Sequence, residues 1–118
     1  MKKHPILLIL ILFSFFIGSC KYDFVLPEVV APVNDVSFSQ KVVPIFAEKC
    51  ISCHATQTPV LTSTVAFASI VPNYVNLAAP ASSKIYTVPT SGTHKGVTIS
   101  ATQAAIILQW ITEGAKNN

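Results

Sequence analysis

Apolar positions along the chain fall into three regimes. Residues 6–16 form an apolar run broken only by Ser14. From Phe38 the apolar residues recur at helical spacing, and Phe38, Val42, Ile45 and Phe46, with Cys50 extending the stripe, predict one helix. Ser37 or Ser39 can cap it, and Pro44 within the pattern marks either its true first turn or a kink. Near the end, Ala104, Ile107, Trp110 and Ile111 recur at three and four residues, which predicts a second amphipathic helix with Trp110 in the core. Ser100 and Gln103 form a Ser-x-x-Gln capping box before it, and Gly114 stands where a C-terminal cap belongs. Between these helices, residues 55–99 are rich in Thr, Ser, Pro and Val. Short helices are expected over 64–71, ended by Pro72, and over 82–86, ended before Pro89, with loops elsewhere. The stretch 84–88 also has strand propensity.

The first regime is a targeting signal. Lys2 and Lys3 precede the apolar run, which falls short of the about 20 residues a membrane span needs. It ends in Ile17-Gly18-Ser19-Cys20, which resembles a bacterial lipobox, with Ile17 and Ser19 as mild departures. The resemblance implies that residues 1–19 are a lipoprotein signal peptide and that Cys20 is lipidated. The alternative is an ordinary signal followed by a free thiol. Each buried methylene of an acyl chain adds about 0.8 kcal/mol, so two chains anchor stably. Residues 20–35, with Pro27 and Pro32, read as a tether of about 50 Å at full stretch, at roughly 3.3 Å per residue. The folded domain is then 36–118, small enough to need a staple.

Composition changes this picture little. The hydrophobic share of 51% is inflated by the leader. Removing Lys2 and Lys3 from the eight basic residues leaves six against five acidic ones. There is no arginine and no basic cluster, which argues against nucleic-acid binding.

The specific chemistry lies in Cys50-Ile51-Ser52-Cys53-His54. Cys-x-x-Cys-His is the attachment motif of c-type haem. Thiols at Cys50 and Cys53 can form thioethers to the two vinyl groups, and His54 can ligate the iron. With Cys20 given to lipid, none of the three cysteines is left for a disulfide or for nucleophilic catalysis. Both motifs point outside the cytoplasmic membrane of a bacterium. Lys21 after Cys20, where an aspartate would retain the protein at the inner membrane, favours the outer one, with the domain in the periplasm or at the cell surface.

Residues 36–118 resemble a class I c-type cytochrome domain, more narrowly the single-haem domains of bacterial envelope proteins. The resemblance rests on the haem motif, on Phe38 with Val43-Pro44-Ile45-Phe46, on Ser83-Lys84-Ile85-Tyr86, and on Trp110-Ile111-Thr112-Glu113-Gly114-Ala115. It implies an all-α fold in which the N- and C-terminal helices cross beside one covalent haem c. The family's second axial ligand is usually methionine, but the sole methionine is Met1. His94, in Ser91-Gly92-Thr93-His94-Lys95-Gly96, lies about where that methionine would and is the expected distal ligand. The alternative is an exposed loop histidine and an open iron. A carbonyl from residues 56–59 is expected to orient His54.

With both axial positions filled, the expected function is membrane-tethered electron transfer to redox partner proteins, with no catalytic residue. With the distal position open, a haem sensor or a peroxidase-like enzyme becomes the alternative. A third, weaker reading is an accessory subunit wiring a larger complex. A zinc site fits poorly, because adjacent Cys53 and His54 can hardly meet one tetrahedral ion. A thioredoxin-like pair lacks its strand–helix–strand setting.

Overall fold

The computed structural model describes residues 35–118. The leader, Cys20 and nearly all of the expected tether lie outside the described residues. Within them the fold is all-α, without strands. A π-helical turn, Phe38–Val42, runs into α1, Val43–Lys49; α2 is Ile51–His54 and α3 is Ala66–Tyr74. A 3₁₀ turn, Pro80–Ser82, leads to α4, Lys84–Thr90, and the chain closes with α5, Ala101–Thr112.

Pro44 explains the shape of the first element. In one continuous α-helix it would leave the Gln40 carbonyl without a donor and press its ring against that carbonyl. The wider turn avoids the conflict: the Val43 N–H bonds the Phe38 carbonyl, five residues back, and Pro44 then falls in the first turn of α1. Ser37 is the cap, its hydroxyl accepting from the Gln40 N–H, while the Ser39 hydroxyl donates to the Asn118 carbonyl.

Two expected helix ends are corrected. α3 begins two residues later than expected and runs through Pro72; α4 begins at Lys84 and runs through Pro89. Each proline sits in the last turn, where it removes one backbone bond from a helix about to end and costs little. In α4 the Thr90 hydroxyl donates back to the Tyr86 carbonyl, at 2.8 Å, and closes that turn. The 84–88 stretch is helical despite its strand propensity.

α5 forms as its signals require. The Ser100 hydroxyl accepts from the Gln103 N–H and the Gln103 side chain accepts from the Ser100 N–H. At the other end the Gly114 N–H bonds the Ile111 carbonyl and the Ala115 N–H bonds the Trp110 carbonyl, a Schellman closure with Gly114 at φ +97°. Ile107, Trp110 and Ile111 are buried along one stripe. The stripe packs on the π-helical turn through aromatic rings. Phe38 lies 5.0 Å from Trp110, 5.4 Å from Phe67 and 6.3 Å from Phe46, centre to centre. Such pairs add about 0.5–1.5 kcal/mol each beyond area burial. Trp110 is therefore core, and its indole N–H is satisfied by the Lys116 carbonyl.

A seam ties the start of the domain to its end. The Glu113 carboxylate accepts from the backbone N–H groups of Asp35 and Val36 at 2.9 and 2.8 Å, and the Asn118 side chain accepts from that of Phe38.

Candidate functional site

α1 ends at Cys50, whose N–H still bonds the Phe46 carbonyl while its own φ of −118° breaks the helix. One further turn, α2, carries Cys53 and His54, and the His54 N–H bonds the Cys50 carbonyl at 2.9 Å. The loop that follows folds back on this turn, with the Leu61 N–H on the His54 carbonyl. It is fastened to α3 by the Ser69 hydroxyl, which accepts from the Val60 N–H.

Within that loop the Pro59 carbonyl lies 2.9 Å from Nδ1 of His54, with the Gln57 carbonyl more distant at 3.4 Å. A carbonyl only accepts, so Nδ1 carries the proton. In the neutral ring Nε2 then keeps its lone pair, as a metal ligand requires. The expected orienting carbonyl is thus that of Pro59.

His94 reaches the same place from the other side of the sequence. The loop after α4 turns at Gly92 and Gly96, with φ of +72° and +75°, conformations open to glycine and strained for most other residues. The Lys95 N–H bonds the Thr93 carbonyl and the Val97 N–H bonds the His94 carbonyl. Among the described residues, neither ring nitrogen of His94 has a hydrogen-bond partner.

Cys50, Cys53, His54 and His94 all line one cavity of about 560 Å³. That falls in the ~300–1,000 Å³ range of cofactor sites. Its apolar walls are Leu61, Tyr74, Ile85, Val88, Pro89 and Val97. The two imidazoles are nearly parallel, 19° apart, with ring centres separated by 6.0 Å. Two imidazoles bound to one iron from opposite faces, each at a metal–nitrogen distance of about 2 Å, hold their centres roughly 6 Å apart. The donor set fits a haem: two thiols for its edge, two imidazoles for its iron, and an apolar slot for its plane. Among the described residues no group of three or more His, Cys, Asp or Glu side chains gathers to hold a bare metal ion. Burial pushes the Cys50 thiol above its ordinary value; Cys53 is exposed.

Sequence reasoning missed Lys49, Tyr74 and Lys95 as lining residues, together with the roles of Lys84 and Val88. One signal was available: Lys84 and Val88 are four apart, and so share a face of α4.

No family model matches the chain, and neither a curated protein nor a solved structure does.

Proposed function

We propose that this chain is a membrane-tethered electron-transfer protein with the class I cytochrome c fold, carrying one haem c bound through Cys50 and Cys53. His54 and His94 would hold its iron, as the proximal and the distal ligand. The observation that carries the reading is the placement of both imidazoles on the cavity that the two thiols line, at a separation one iron can bridge. A haem bound there would supply an iron able to take up and release one electron.

The chain's own residues do the rest. Pro59 fixes the tautomer and orientation of His54 through its carbonyl. Leu61 and Ile85, both buried, exclude water from the cavity floor. Two nitrogen ligands favour the ferrous state less than a thioether does, so the potential falls below that of a His/Met relative. Cys20 holds the protein in a bacterial envelope membrane, the outer one by the Lys21 criterion, and its partners are redox proteins.

The test is expression in a host that matures c-type cytochromes. The expected product is pigmented, has a mass raised by one haem, and is low-spin in both redox states without reacting rapidly with carbon monoxide. High-spin ferric haem or rapid CO binding selects the sensor or peroxidase-like reading instead. Colourless protein without the mass increment ends both.

A further inference from the structure

Nothing outside its own loop holds His94. None of residues 91–97 is buried, and the nearest apolar side chains that pack on the hydrophobic core are Tyr86 and Ile99, on either side of the loop. The hydrogen bonds are equally local. The Ser91 hydroxyl donates to the Val88 carbonyl and accepts from the Thr93 N–H, so the loop is fastened only to itself and to the last turn of α4. His54, by contrast, is held by α2 and by the Pro59 carbonyl.

The backbone at His94 is nevertheless closely defined. The Lys95 N–H bonds the Thr93 carbonyl at 2.9 Å, which closes a tight turn centred on His94. The Val97 N–H bonds the His94 carbonyl at 2.8 Å, which closes a β-turn that begins on His94. The central residues of that β-turn, Lys95 and Gly96, have φ of +50° and +75°, both left-handed, as a type I′ turn requires. Glycine adopts this conformation freely. Lysine does not, because its Cβ crowds the carbonyl that follows; asparagine, aspartate or glycine is the usual residue at the first central position. A Cβ added at Gly96 would meet nothing within 4 Å, so backbone conformation alone, and no close approach, makes glycine favourable there.

We propose that the left-handed turn Lys95-Gly96 positions His94, and that the conformational preference of this turn sets how tightly the imidazole holds the iron. The proposal rests on the haem reading above and goes from the ligand to what keeps the ligand in place. With no packing to anchor the loop, an imidazole that leaves the iron is returned only by the backbone. A sequence that prefers the turn keeps the ring at the cavity and loses less freedom when the nitrogen binds. A sequence that resists the turn leaves the ring away for a larger fraction of the time. Lys95 and Gly96 are therefore positioning residues that act through His94, and they act in opposite directions: Gly96 favours the turn and Lys95 opposes it.

The test is an equilibrium titration of the ferric full-length holoprotein with cyanide at constant pH, followed at the haem band. Cyanide takes the distal position only when His94 is away, so its apparent affinity reports the turn. Gly96→Ala is expected to tighten cyanide binding about tenfold, the factor that forcing a Cβ into left-handed backbone costs. Lys95→Gly relieves the strained position. It should bind cyanide about threefold more weakly than Lys95→Ala, which removes the same charge but keeps a Cβ. Gly114→Ala is the control: it puts similar strain, at φ +97°, into the closure of α5, and should lower the denaturant midpoint without moving the cyanide affinity. In low-spin protein, a Gly96→Ala variant whose midpoint falls while its cyanide affinity stays at the wild-type value overturns the proposal alone. So does a Lys95→Gly variant that binds cyanide no more weakly than Lys95→Ala. Wild-type protein as open to cyanide as His94→Ala removes the distal ligand and the role of the turn together, and colourless protein removes the haem reading with both.

Discussion

Nδ1 of His54 faces a carbonyl, whereas His94 offers its nitrogens without competition. The two histidines are therefore not equivalent. His54 is fixed by α2 and by the returning loop; His94 depends on a loop whose backbone bonds are all local. Replacing His94 with Ala is expected to leave the haem covalently attached, convert the ferric spectrum from low to high spin, and open the iron to rapid CO binding. A low-spin His94→Ala protein would remove His94 as the ligand while leaving Cys50, Cys53 and His54 in place. That Cys50, Cys53 and His54 gather on one cavity was legible because their spacing is local. The role of Lys95 was not: nothing in Lys95 itself tells a solvated lysine from one on a cavity rim, since that depends on where the chain places α4 and the loop after it.

At the scale of elements, α5 and the π-helical turn contribute no residue to the cavity. Local rules made α5 readable, because the capping box and the Schellman glycine specify both its ends within a few residues. Removing the cap with Ser100→Ala should cost about 1 kcal/mol, measured by denaturant unfolding of the holoprotein, with the absorption spectrum unchanged. Trp110→Ala strikes the packing of α5 on Phe38 and Phe67 and should cost about 3–5 kcal/mol, with Trp110→Phe intermediate. If Trp110→Ala shifted the haem spectrum without loss of stability, the indole would be a cofactor contact and not core. The proline-bearing helices were read less well for a physical reason. Proline forbids one backbone bond, but whether a helix stops there depends on how many turns remain. Pro72 and Pro89 lie so near the ends of α3 and α4 that the helices pass through them. Pro44 lies further inside its segment, and the backbone answers by widening the turn before it.

For the whole molecule, the seam at Glu113 decides how firmly the domain closes where the tether would join it. Its partners Asp35 and Val36 lie 78 and 77 residues earlier, a separation no local pattern reveals. The side-chain hydrogen bond from Gln109 holds the Glu113 carboxyl below its usual range, with backbone N–H donors at Val36 and Asp35 and the nearby Lys116 charge adding to it. All of these favour the ionised form in the folded state. A carboxylate whose folded pKa lies below its unfolded one contributes stability that is fully present above the unfolded pKa, about 4.3, and is lost as pH falls through the folded value. The wild-type protein should therefore exceed Glu113→Gln in unfolding midpoint by a constant margin from neutral pH down to about pH 5. Below that the margin should narrow as Glu113 protonates. Because the seam contributes no residue to the cavity, the haem band of the variant should match wild type throughout. Urea unfolding at pH 7 and at about pH 3, followed by far-ultraviolet circular dichroism, measures the margin at both ends. A margin that stays constant on acidification would mean that the seam is held by the shape of Glu113 and not by its charge, and that another carboxylate sets the acid limit of the fold.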